Sequence, residues 1–83
     1  MHYRIEFNIY VPDLRNREQV ERYMRRLENA HLSDKSLGCV AVSIGARGDD
    51  GVTFKVTGLE KNVKGAARIA FANNGSGIKY EFK

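Results

Sequence analysis

Residues 39–57, CVAVSIGARGDDGVTFKVT, carry two runs of alternating side chains on either side of a turn. In the first half Val40, Val42 and Ile44 alternate with Cys39, Ala41, Ser43 and Gly45; in the second, Val52, Phe54 and Val56 alternate with Thr53, Lys55 and Thr57. A period of two marks a strand with one buried face. Between the runs, Arg47-Gly48-Asp49-Asp50-Gly51 is rich in residues that tolerate positive φ or bond their own backbone, which is turn chemistry. The stretch therefore predicts a β-hairpin, and the flanking sequence must supply what covers it.

On the N-terminal side, Tyr3, Ile5, Phe7, Ile9 and Val11 alternate with Arg4, Glu6, Asn8 and Tyr10, a strand that Pro12 ends because it lacks an amide donor. Asn16 can then cap a helix, with Gln19 placed to reach back as in a capping box. Val20, Tyr23, Met24, Leu27 and His31 follow at spacings of three and four, predicting a helix to about residue 31. Its i,i+4 pairs, Glu18 to Arg22 and Glu21 to Arg25, run in the favourable direction. Ser33-Asp34-Lys35-Ser36 reads as a loop into the hairpin.

On the C-terminal side, Leu59, Val63, Ala66, Ala67, Ala70 and Phe71 form a second helical stripe, with Lys61, Lys64 and Arg68 opposite it. Asn73-Asn74-Gly75 is a helix stop, and Ile78, Tyr80 and Phe82 alternate with Lys79, Glu81 and Lys83 as a last strand. The order β-α-β-β-α-β is the split βαβ pattern of ferredoxin-like folds. Right-handed crossovers then give an antiparallel α+β sheet in the spatial order 4-1-3-2, with both helices on one face. The 83 residues are expected to form one domain, 1–83.

The formal net charge is +4, and residues 52–83 hold the whole excess. Such a bias favours an acidic protein surface or nucleic acid. One cysteine, Cys39, allows no internal disulfide and suits a reducing compartment. The start, Met1-His2-Tyr3-Arg4-Ile5-Glu6, has no apolar core of a signal peptide, and no apolar run approaches the roughly 20 residues of a membrane span. A cytoplasmic chain without membrane contact is expected.

Catalytic chemistry finds little to work with. His2, His31 and Cys39 are the only imidazoles and thiol, and no pair has metal-ligand spacing. Asp49 and Asp50 suit the turn, while Glu6 and Glu81 sit among Arg4, Lys55, Lys79 and Lys83, where cross-strand ion pairs account for them. No catalytic residue, metal site or small-molecule cofactor is expected. Arg47-Gly48-Asp49 and Asn74-Gly75-Ser76 spell an integrin tripeptide and a glycosylation acceptor, but both fall where turns need those residues.

Two family resemblances bear on this. Asp49-Asp50-Gly51 followed by Val52–Gly58 and a helix resembles the middle of an acylphosphatase over about a third of the chain. The Gly-rich phosphate loop that family carries after its first strand is replaced by Val11-Pro12-Asp13-Leu14-Arg15, so the activity does not carry over. Ile9-Tyr10-Val11-Pro12-Asp13-Leu14 is similar to the first-strand signature of the RNA-recognition motif, which implies base stacking on Tyr10. The third strand lacks the matching Phe-x-Phe pattern, offering Thr53, Lys55 and Thr57 outward instead.

Two features point to binding. The second strand is an expected edge, and Leu37–Ala46 contains neither charge nor proline to discourage pairing with another chain. Cys39, Val40, Ala41, Val42 and Ser43 are the candidate docking residues, for another protein chain or a second copy. At 100° per residue Arg15, Arg22 and Arg26 share one side of the first helix, and Lys61, Lys64 and Arg68 cluster on the second, making a basic surface. The expectation is a non-catalytic interaction module, a small protein-binding regulator or phage-type inhibitor of a host factor. The alternative is an RNA- or other nucleic-acid-binding module.

Overall fold

The computed structural model describes residues 4–71 and 77–83. Its elements are β1 (Ile5–Val11), α1 (Arg17–Glu28), α2 (Ala30–Ser33), β2 (Ala41–Gly48), β3 (Gly51–Gly58), α3 (Glu60–Phe71) and β4 (Glu81–Phe82). His2 and Tyr3, the Asn73-Asn74-Gly75 stop and the Asn74-Gly75-Ser76 tripeptide lie outside the described residues. The four strands form one antiparallel sheet in the order β2-β3-β1-β4, which is the order expected from the sequence.

Register follows the alternation. Ile9 lies opposite Phe54 and Val11 opposite Val52, all buried on one face, while Tyr10 faces Thr53 and Asn8 faces Lys55 on the other. Against the apolar face pack Val20 and Leu27 of α1 and Val63, Ala66, Ala67, Ala70 and Phe71 of α3. The alanines let α3 approach closely. Phe71 is the hub, with ring centroids 5.0 Å from Tyr80, 5.6 Å from Tyr23 and 6.1 Å from Phe54. It ties α1, β3 and the segment before β4 to one point, and burying such a side chain contributes about 1.5–3 kcal/mol.

Local chemistry sets the boundaries, and several depart from expectation. Asn16 does cap α1, its Oδ1 accepting from the Glu18 amide at 2.8 Å, but Gln19 makes no return bond. The first helix also stops at Glu28 rather than near residue 31. Asn29 leaves helical geometry, its amide bonding back to the Arg25 carbonyl, and a separate four-residue turn, α2, follows. The described residues therefore hold three helices, not two.

β2 begins at Ala41, so Cys39 and Val40 precede it. Val40 is instead 8% exposed and belongs to the core, and Leu37 and Gly38 are held on α3. The Gly38 amide donates to Asn62 Oδ1 at 3.0 Å, and Leu37 lies over Gly65, where a side chain would meet it at 2.6 Å. Close packing thus accounts for a glycine inside α3. The hairpin turn is shorter than expected: Arg47 and Gly48 are still in β2, and only Asp49 and Asp50 connect it to β3. The last strand is shorter too, because the Ile78 amide bonds the Phe71 carbonyl at 2.7 Å and ladder pairing is confined to Glu81 and Phe82. Ile5, expected inward, is 48% exposed at the uncovered end of β1.

Candidate functional site

The first surface is the edge of the sheet. β2 pairs only with β3, and no backbone hydrogen bond from any other described segment reaches its outer side. The preceding loop folds onto α3 through Leu37 and Gly38 instead of covering that side. Ala41 and Ser43 point to the open face and are exposed; Val42 and Ile44 point toward the helices and are incompletely covered, Ile44 at 37% exposure. The edge is less bare than its composition suggests. The register shifts between Ile44 and Ala46, a bulge at Gly45, and Arg47 sits within the strand. Bulges and charges both oppose pairing, so the plain part of the edge is Ala41–Ile44. Cys39 lies beside it, exposed and free, and Val40 is withdrawn into the core.

The second surface lies on the helical layer. A groove of about 310 Å³ between α1–α2 and α3 is lined by Arg22, Arg25, Arg26, Asn29, Ala30, Ser33, Ile69 and Ala70. The expected Glu18–Arg22 and Glu21–Arg25 pairs are not formed: Glu21 reaches back to Arg17 instead, at 3.9 Å. Among the described residues no carboxylate comes within 4.0 Å of Arg22, Arg25 or Arg26. Arg26 is held in place, its guanidinium 5.2 Å from the Tyr23 ring centroid and its Nη1 3.5 Å from the Ala70 carbonyl oxygen. Arg15 is not part of this cluster, because it precedes the cap and lies outside α1.

Beyond Ile69 a second hollow is lined by Lys61, Lys64, Arg68, Leu37, Gly65 and Asp34, among others. Its charge is partly offset. Lys64 pairs with Glu60 at 3.1 Å. Asp34 is held below the usual carboxylate range by the Ser36 hydroxyl and amide, at 2.7 and 2.9 Å, with Lys61 adding to the effect. The strongest uncompensated charge is therefore on α1, and Arg25 belongs to it. Its i,i+4 spacing from Glu21 assigns that arginine a partner in the sequence; the signal that includes it in the cluster is its i,i+3 spacing from Arg22.

The open sheet face holds Tyr10, and its ring is engaged. Its hydroxyl donates to the Asp50 carbonyl at 2.7 Å, and the Lys83 ammonium lies 4.7 Å from its ring centroid. Desolvation, then the Asp50 carboxylate, raises its phenol above the ordinary tyrosine value. Glu81 pairs with Lys83 at 3.7 Å, while Glu6 has no cation within salt-bridge distance among the described residues. His31 is half-buried in α2 with Nδ1 3.0 Å from the Glu28 carbonyl, and no group of three or more His, Cys, Asp or Glu with metal-binding geometry occurs among the described residues. No described helix is long and apolar enough to cross a membrane. No protein-family model, curated protein or solved structure matches this chain.

Proposed function

We propose that this chain is a non-catalytic interaction module of ferredoxin-like architecture that takes another protein strand, or a second copy of itself, along β2. The observation that carries this reading is the unpaired outer side of β2. Its backbone donors and acceptors are free to extend the sheet. Small side chains at Ala41 and Ser43 let a partner backbone approach, and Val42 and Ile44 add apolar contact on the helix-ward side. A module of this kind acts as a small regulator or inhibitor by occupying an edge or peptide of its target.

The test is Ala41→Lys. The side chain is exposed on the open face, so the fold is spared, while a lysine on an edge opposes strand addition. Solution mass by sedimentation and capture of partner protein are measured for both chains. The variant is expected to lose association by about tenfold or more. Unchanged mass and capture would refute edge docking.

Nucleic-acid binding is the second reading, favoured by the uncompensated cations of α1. It predicts affinity for RNA or DNA that falls steeply with salt. The engaged ring of Tyr10 moves that reading away from the sheet face and onto the helices.

A further inference from the structure

We infer that the groove between α1–α2 and α3 is a docking site for an acidic segment of a partner protein, with carboxylates on Arg22, Arg25 and Arg26 and an apolar side chain on Ile69. The inference rests on the chain being a protein-binding module, but not on the β2 edge.

Three arginines from one helix line a single groove, and none has a carboxylate within 4.0 Å among the described residues. Like charges so placed repel one another, and an acidic ligand relieves that repulsion. Guanidinium suits the task because its planar fork meets a carboxylate with two parallel hydrogen bonds. Arg26 is already fixed by Tyr23 and the Ala70 carbonyl, so a ligand orders less of the site when it binds.

The rest of the groove selects the kind of anion. Ile69 is half-buried on its wall, and Asn29 and Ser33 supply neutral hydrogen-bonding groups at the α2 end. A volume of about 310 Å³ holds side chains rather than a lone ion. Past Ile69 the second hollow continues with Lys64 and Arg68, so the surface suits an extended chain carrying acidic residues on both sides of an apolar one. Nucleic acid fits less well. Tyr23, the aromatic ring beside the groove, is already stacked on Phe71 and sits under Arg26, which leaves no free platform for a base there.

Fluorescence anisotropy with the full chain tests this. The probes are a capped peptide with glutamates on both sides of a leucine, the same peptide with glutamine for glutamate, and a single-stranded oligonucleotide of matched charge. The acidic peptide is expected to bind at about 50 mM salt and to weaken by 200 mM. Arg22→Gln with Arg25→Gln should cost about tenfold or more in affinity. Lys55→Gln on the opposite sheet face should leave it unchanged. Both arginines are exposed, and coincident thermal melts confirm that the variants fold.

Equal losses from the arginine pair and from Lys55→Gln would overturn the inference, as would no binding at low salt. A tighter complex with the oligonucleotide than with the peptide, lost in the same arginine variant, would replace it with nucleic-acid binding. Ala41→Lys separates the two surfaces. Retained peptide binding beside unchanged association sinks only the edge, and lost arginine dependence beside blocked association sinks only the groove.

Discussion

Gly51→Ala is expected to remove much of the stability of this fold, while Gly48→Ala, three residues away in the same hairpin, changes little. Gly51 has φ 138°, in the region that glycine occupies and other residues rarely do. A Cβ there would lie 2.5 Å from the Val11 carbonyl oxygen and 2.7 Å from Pro12 Cα. Both are backbone atoms of the neighbouring strand and its exit, so neither can rotate away. Strain of the dihedral costs about 1–3 kcal/mol, and forcing packed backbone apart costs about as much again. Against a total on the order of 5 kcal/mol, most of the margin goes. At about 4–8 °C per kcal/mol for a domain this size, melting falls by more than about 10 °C or loses cooperativity. At Gly48 the added atom meets Asp50 Oδ1 at 2.9 Å, the mobile tip of an exposed side chain, and the effect stays within about 0.5 kcal/mol. Thermal and urea melts followed by circular dichroism measure both. A Gly51→Ala chain melting within about 3 °C of the parent, or a Gly48→Ala chain falling equally, would show that the Val11 and Pro12 contacts do not constrain the turn.

Two further outcomes follow from the loop that leads into β2. Asn62→Ala removes the 3.0 Å acceptor of the Gly38 amide and should cost about 0.5–1.5 kcal/mol, with faster hydrogen exchange at Gly38 as the local reading. Ser36→Ala removes the hydroxyl on the Asp34 carboxylate, so the Asp34 pKa followed by NMR should rise toward its ordinary value. Because the folded-state value is depressed, Asp34 contributes stability above pH about 3.8 that is lost as pH falls through the lower folded value. The variant should show a shallower loss across that acid window.

Alternation made the sheet legible from the sequence. Ile9, Val11, Val52, Phe54 and Val56 read as one apolar face and are one, and chain order with right-handed crossovers was enough to place β2 at the edge. Boundaries were legible only where a residue has a single role, as with Asn16 at the start of α1. Asn29 can continue a helix or end it, and no residue type in its neighbourhood says that here it leaves helical geometry. Val40 fits the strand period but lies within 3.0 Å of where a Gly58 side chain would begin, a contact that no local pattern records. The basic surface was half legible. Arg22 and Arg26 were found by helical periodicity. Arg25 was missed because Glu21 had two arginines at i,i+4 spacing, one on each side, and sequence alone does not say which it reaches.

The displacement at Gly45 divides the margin of the sheet into two short reading frames. A visiting chain that zips along Ala41–Ile44 falls out of step before Ala46. If β2 takes a partner strand as proposed, the shift sets a length limit: a ladder begun at Ala41 runs in register only to Ile44. Under the same proposal the interruption would oppose copies adding edge to edge, because each added strand would meet the misfit rather than a clean template.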